Sequence, residues 1–231
     1  MSICAIWGAP QSGKTTLAVN LAHAISGRGK SVLIISTADY SELSAVLGTN
    51  ISDRQCLKAA IEGRESIKHT AYKISELLFI LAPSSAADAL DENYSGEQAK
   101  TLLTLAKAAY DVVLVDCQSQ TSNTLSAWAL SKADKILMCA GGQLSNILWY
   151  AAHERAIVAL EQKSIHVSTE TAQFFDYAKM HENMGFKPVA SFPFIIDAAF
   201  LQNEKKLIYN LQGKKGKKYA DTIDHLREAI V

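Results

Sequence analysis

A strand, a glycine-bearing turn and a helix follow one another directly in the first 27 residues, and little else in the chain constrains the fold as strongly. Residues 2–7, SICAIW, read as a short buried strand. Gly8-Ala9-Pro10-Gln11-Ser12-Gly13-Lys14-Thr15 then satisfies the pattern G-x-x-x-x-G-K-[ST]. From Lys14 onward, Leu17, Leu21, Ala24 and Ile25 recur at the spacing of one helical face over residues 14–27. Each part of the turn serves phosphate chemistry. Residues 8–16, Thr16 included, are the nucleotide-binding candidates: their backbone N–H groups, which all but Pro10 possess, curl around an anion, and the helix N-terminus adds the positive end of its dipole. Gly13 admits a close approach of backbone to ligand. Lys14 supplies a point charge for the β- and γ-phosphates, and Thr15 a hydroxyl for Mg²⁺. A nucleotide is the expected ligand.

Downstream, apolar runs alternate with helical periodicity. Strands are predicted at 31–36 (SVLIIS), 77–82 (LLFILA, stopped by Pro83), 110–116 (YDVVLVD) and 134–140 (DKILMCA, closed by Gly141-Gly142). Helices are predicted at about 95–109, 121–132 and 145–162. The signal is weaker beyond that point: a strand at 164–169, a helix at 170–184, a last strand at 188–194 and a helical tail at 217–230. Strands separated by helices imply right-handed crossovers and a mostly parallel sheet with helices on both faces. The near-continuous Val/Ile/Leu runs agree, because parallel strands are covered on both sides. The expected fold class is α/β, a three-layer P-loop NTPase fold. No linker or repeat divides the 231 residues, so one domain over 1–231 is expected.

A carboxylate at the end of a buried strand is the second element a Mg²⁺-nucleotide site requires, and Asp116 ends Val112-Val113-Leu114-Val115. The metal candidates are therefore Thr15 and Asp116. The alternative for Asp116 is an N-cap of the following helix. Asp111, before the strand, reads as a cap or turn residue.

Together, GAPQSGKTTLAVNLAHAISGRGKSVLIIS, YDVVLVD and ALSKADKILMCA, with a looser fit at VASFPF and Tyr219–Ile230, resemble the MinD/ParA group of P-loop ATPases. The segment CLKAAIEGRESIKH followed by LLFILAP is similar to the CpaE/TadZ-like branch associated with pilus assembly. The resemblance implies an ATP- and Mg²⁺-binding protein that forms a nucleotide-dependent homodimer. It also implies a localisation or assembly factor with a protein partner, with a pilus or secretion apparatus as one such machinery. Its setting would be cytoplasmic, with peripheral contact at the inner membrane face as a second option.

Three departures from the family pattern point away from ordinary catalysis. Family members carry a second loop lysine that reaches the partner's nucleotide; Ala9 stands there, followed by Pro10. The family's Asp-x-Asp after the second strand falls on Ser36 and Ala38. Asp39, one residue later, either orients the attacking water as a catalytic residue beside Lys14 or caps a Ser41–Leu47 helix. No glycine follows Asp116 in Cys117-Gln118-Ser119-Gln120-Thr121, although Gln118 or Gln120 offers an amide to position a water. The expectation is nucleotide binding with slow or altered hydrolysis. A non-hydrolysing scaffold is the alternative. A metabolic enzyme of the dethiobiotin-synthetase kind is a third reading, for which no dedicated set of polar substrate residues is visible.

Phe192-Pro193-Phe194 falls where the resembled family places the adenine, so Pro193 is a further nucleotide-binding candidate; plain core packing is the alternative. Lys214-Lys215-Gly216-Lys217-Lys218 reads as a solvated basic loop, with membrane-surface or nucleic-acid contact as the minor option. Lys+Arg and Asp+Glu both number 23, so no global charge favours DNA or an anionic surface. The four cysteines form no CxxC pair and read as buried thiols of a reducing compartment. Neither a signal peptide nor an apolar run of membrane-spanning length is expected. Trp149 and Tyr150 read as core, with Leu148-Trp149-Tyr150 as an optional partner face.

Overall fold

A computed structural model describes residues 1–40, 42–86 and 94–231. Its strands are β1 (Ser2–Gly8), β2 (Val32–Ser36), β3 (Tyr72–Lys73), β4 (Leu78–Leu81), β5 (Val112–Asp116), β6 (Lys135–Gly141), β7 (Ser164–Thr169) and β8 (Ala190–Phe192). Among the described residues they form one eight-stranded sheet in the order β3-β4-β2-β5-β1-β6-β7-β8. All neighbours pair in parallel except β3 with β4. The helices are α1 (Lys14–Ser26), α2 (Glu42–Leu47), α3 (Leu57–Ile61), α4 (Ile67–Thr70), α5 (Gly96–Ala109), α6 (Thr124–Lys132), α7 (Leu144–Ala152), α8 (Glu154–Leu160), α9 (Tyr177–Met184), α10 (Ala198–Asn203) and α11 (Lys214–Ile230).

The period of two along β1 explains the three layers. Ile3, Ala5 and Trp7 join a core on one face with Leu102 of α5, Ala129 of α6 and Trp149 of α7. Cys4 and Ile6 join the other, with Leu21 and Ile25 of α1 and Ile223 and Leu226 of α11. Both faces of the central strands are covered, which is what their unbroken apolar sequence predicts. Local caps agree with the sequence. Ser95 and Gln98 form a reciprocal capping box at the start of α5, and the Asn123 side chain accepts from Ser126 N at the start of α6. The four cysteines are free and buried.

The other strands and the main helices follow the predicted order along the chain; the edge strand β3 and the short helices α3, α4 and α10 have no counterpart in the sequence reading, and three predicted segments differ. The helix expected over 145–162 is broken at His153, whose backbone leaves the helical region (φ −109°, ψ 11°) while its ring stacks on Trp149 at 4.3 Å. The helix expected over 170–184 begins only at Tyr177. Before it, Phe174 takes φ 62°, the Thr171 hydroxyl accepts from Gly142 N, and Asp176 caps the helix by accepting from Lys179 N. The basic cluster at 214–218 is no loop: Gly213 (φ 91°) starts α11, and Lys217 N donates to Gly213 O at 2.9 Å. Its lysines are exposed on the first turns of that helix. Trp149 and Tyr150 are core residues, and Leu148 beside them is 71% exposed.

Candidate functional site

The C-terminal ends of β1, β2, β5 and β6 meet at the start of α1, where an open parallel sheet leaves a crevice for ligand. The turn after β1 is shaped by its glycines. Gly8 has φ 149°, and a Cβ there would lie 2.0 Å from Cys139 O, so β6 passes too close for any side chain. Gly13 (φ 82°) and Gln11 (φ 56°) turn the backbone around the start of α1. No side chain caps α1, and its first turn holds no acidic residue, so its leading N–H groups are free to face an anion. Ala9 is fully buried in the core. Its carbonyl accepts from Ser12 Oγ at 2.7 Å and from Lys14 Nζ at 2.8 Å.

Lys14 is held over the turn. Its ammonium also donates to Gly8 O at 3.4 Å and to Ser119 Oγ at 2.9 Å, and burial lowers its pKa. Thr15 Oγ1 donates to Asp116 Oδ2 at 2.7 Å. Asp116 is 7% exposed. Burial pushes its carboxyl up to about 6, against the Thr15 hydrogen bond and the Lys14 charge, which pull it down. A hydroxyl and a carboxylate at the mouth of an anion-binding turn are hard oxygen donors of the kind Mg²⁺ takes, so this pair fits the ion.

Residues 10–16 of the turn line one cleft of about 670 Å³ together with Asp116 and Asp39. Asp39 is exposed in the bend before α2. The cap position Ser41 lies outside the described residues, so the alternative role of this segment as a helix cap is not described. Ala38 lines the cleft as well, and Ser36 is buried. An adjoining apolar pocket of about 360 Å³ is walled by Phe192, Pro193 and Phe194, and Gly13, Thr16 and Thr171 line both spaces. Phe192 also packs against Tyr219 in the core, which is the core-packing alternative for this segment.

Residues that sequence reasoning passed over complete the site. Glu42, Ser119 and Thr171 line the cleft. Helix α7 ties the turn down from the side: Asn146 Nδ2 donates to Pro10 O at 3.3 Å, its Oδ1 accepts from Gly141 N at 2.6 Å, and Gln143 Nε2 donates to Gln11 Oε1 at 2.9 Å. Trp149 Nε1 donates to Ser119 O at 3.1 Å, so the residue that holds Lys14 is itself held by α7. The ends of β2 and β5 are joined through Thr37, whose hydroxyl pairs with Ser126 Oγ at 2.7 Å and accepts from Gln118 N at 2.8 Å. Ser119, Ser126, Gln143, Asn146 and Trp149 sit a hundred or more residues from the turn, and of the residues around the cleft only the Gln118 side chain had a local sequence signal.

The AAA domain family model matches residues 8–146, more than half of the chain and all of the phosphate turn. No curated protein matches the sequence. Among solved structures, the septum site-determining protein MinD of Pyrococcus horikoshii complexed with Mg-ADP is 16% identical, with a TM-score of 0.79 over 97% of this chain and 95% of that one. The MinC:MinD cell division protein complex of Aquifex aeolicus gives 17% identity and a TM-score of 0.80 over 100% and 97%. A ParA family ATPase of Chlorobium tepidum gives 16% and 0.80 over 98% and 97%. The glycine turn, the Lys14–Thr15–Asp116 geometry and these matches lead to one conclusion: the chain belongs to the AAA domain family and has the fold of the MinD and ParA structures.

Proposed function

We propose that the chain binds ATP with Mg²⁺ in the cleft, hydrolyses it slowly, and acts as a nucleotide-dependent homodimer in a localisation or assembly machinery. The observation that carries this reading is the continuity of two spaces. The polar cleft over Lys14, Thr15 and Asp116 shares Gly13, Thr16 and Thr171 with the apolar pocket under Pro193. One nucleotide placed across them would have its triphosphate on the α1 N-terminus and its base against Phe192-Pro193-Phe194. In this reading Thr15 and Asp116 would hold Mg²⁺. The ion's contribution is to neutralise phosphate charge. The chain's own residues do the rest: Lys14 leaves its carbonyl and Ser119 partners for the phosphates, the turn N–H groups orient them, and a carboxylate of the Asp39–Glu42 segment orients water.

Slow turnover is supported by Ala9, a buried methyl where a partner-reaching lysine would be needed, and by Ser36 and Ala38 in place of acidic residues. The same departures support a non-hydrolysing, nucleotide-binding scaffold as the second reading. A protein partner is supported by the Aquifex relative, which was solved as a MinC:MinD complex. A pilus or secretion apparatus as the cargo rests on the resemblance of residues 56–83 alone. Among the described residues no helix is long and apolar enough to cross a membrane, and a cytoplasmic setting is part of this proposal.

Light scattering with and without Mg·ATP tests the dimer. A nucleotide-dependent doubling of mass is expected. An unchanged monomer mass at saturating Mg·ATP contradicts it. Release of inorganic phosphate from ATP, followed in the same samples, separates the slow ATPase from the scaffold.

A further inference from the structure

The apolar pocket beside the cleft contains one acid. Among the residues that line it Glu170 is the one carboxylate, and none is a basic or amide side chain. Glu170 follows directly on β7, whose last residue, Thr169, pairs with Phe192 of β8. Two hydrogen bonds tie it to the aromatic wall. Its N donates to Phe192 O at 3.0 Å, and its Oε2 accepts from Phe194 N at 3.0 Å. Lys215, the cation on the same wall, directs its ammonium to Phe194 O at 3.0 Å. Among the described residues Glu170 forms no ion pair, and its Oε1 has no hydrogen-bond partner. The residue is half-buried, so in the open pocket water can reach that oxygen.

A base lying against Phe192-Pro193-Phe194 displaces this water. A carboxylate accepts and does not donate, and one left with neither water nor donor is costly. The pocket therefore favours a base that presents an N–H to Oε1. Adenine does so with its 6-amino group, whereas guanine carries an oxygen at that position, lone pair facing lone pair. A carboxylate can also read guanine through two adjacent N–H groups. That bidentate pairing takes both oxygens, and here Oε2 is committed to Phe194 N.

We infer that Glu170 sets the base specificity of this chain, Oε1 accepting from the 6-amino group of adenine while Oε2 holds the wall. This rests on the proposed ATP site and adds to it the group that tells ATP from other purine triphosphates. The bond to Phe194 N also fixes what the amide variant does. In Glu170→Gln the amide oxygen is the acceptor left for Phe194 N, so the wall stays and the NH₂ faces the base. An acceptor becomes a donor at one point with almost no change in volume. The amino group of adenine then meets a donor, and the 6-oxygen of guanine meets its partner.

The test is titration calorimetry of the full chain, parent and Glu170→Gln, with the Mg²⁺ complexes of ATP, GTP and purine riboside triphosphate, which is ATP without the amino group. Circular dichroism checks the fold of the variant. A hydrogen bond to a charged group decides roughly 10- to 100-fold in affinity, so the parent should bind ATP at least about tenfold more tightly than either other ligand. In Glu170→Gln the preference for ATP over GTP should fall by about tenfold or more. A residue that only braced Phe194 would leave this ratio unmoved, because glutamine keeps that bond. The inference is overturned if the parent binds GTP or purine riboside triphosphate as tightly as ATP, or if Glu170→Gln keeps the parent's ATP-to-GTP ratio within threefold. In both cases the nucleotide site itself stands. The three ligands on the parent decide the matter even where the variant does not fold. Binding of none of them by the parent overturns the site and the role of Glu170 together.

Discussion

Replacing Asn146 with alanine should loosen the phosphate turn from a residue that touches no ligand. Asn146 is fully buried. Its Oδ1 accepts from Gly141 N at 2.6 Å and its Nδ2 donates to Pro10 O at 3.3 Å, 136 residues away in the chain. In Asn146→Ala the Gly141 N–H stays buried without a partner, which costs about 1–3 kcal/mol. The Pro10 carbonyl, on an exposed residue, can be rehydrated, so its lost bond is worth about 1 kcal/mol or less. The sum is about 1–4 kcal/mol in global stability, read as a lower urea midpoint at unchanged slope. Of this, the part that pre-organises the turn is the Pro10 bond, and about 1 kcal/mol is roughly a fivefold weakening of Mg·ATP binding. Urea unfolding followed by circular dichroism measures the first quantity and titration calorimetry the second. A variant within 0.5 kcal/mol of the parent and of equal affinity would refute the role assigned to α7.

Two further substitutions probe the frame of the site. Gly8→Ala forces a Cβ to within 2.0 Å of Cys139 O at φ 149°, so β1 and β6 must separate. The expected loss is about 4 kcal/mol or more, seen as a collapse of the thermal midpoint or as insoluble protein, and a midpoint within a few degrees of the parent would contradict the close packing. Asp111 accepts from Ser31 N at 2.8 Å and Ser31 Oγ at 2.7 Å, and these bonds hold its carboxyl below the ordinary 3.8. A depressed folded value means that the stabilisation is present above the unfolded pKa and is lost as pH falls through the folded one. Asp111 is exposed, so Asp111→Ala should cost only about 1 kcal/mol at pH 7, and the gap to the parent should narrow below pH 3.8. A gap that stays constant down to pH 3 would show that the carboxylate charge contributes nothing.

What the sequence made legible is what is local in it. The turn between the first strand and helix carries its chemistry in the eight consecutive residues Gly8–Thr15, and Asp116 announces itself by ending an apolar strand. Alternation with helices gave the succession of strands along the chain and their parallel pairing, but not their order across the sheet nor the antiparallel edge strand β3. The rest of the site is assembled from distant segments whose residue types are unremarkable by themselves. Ser119 meets Lys14 across 105 residues, and Asn146 is one of two polar residues, beside Ser145, in a mostly apolar helix until the fold sets it against Pro10. Glu42 reads as an ordinary first-turn acid of a short helix. The break at His153 was hidden because apolar periodicity continues across it; the stacking of its ring on Trp149 has no signature in spacing. Four lysines in five residues read as loop because polarity dominated, although Gly213 before them is the residue able to begin α11 at φ 91°.

The phosphate-site assignment is tested most directly by calorimetric titration of Mg·ATP into the parent chain and into Lys14→Ala. Lys14 is the ammonium held over the turn, and a charge-assisted contact to phosphate is worth roughly 1.5–3 kcal/mol. Saturable binding of one nucleotide per chain is expected for the parent, weakened about 10- to 100-fold in Lys14→Ala with the urea midpoint retained. Equal affinity in the two proteins, or no binding by the parent, would contradict it.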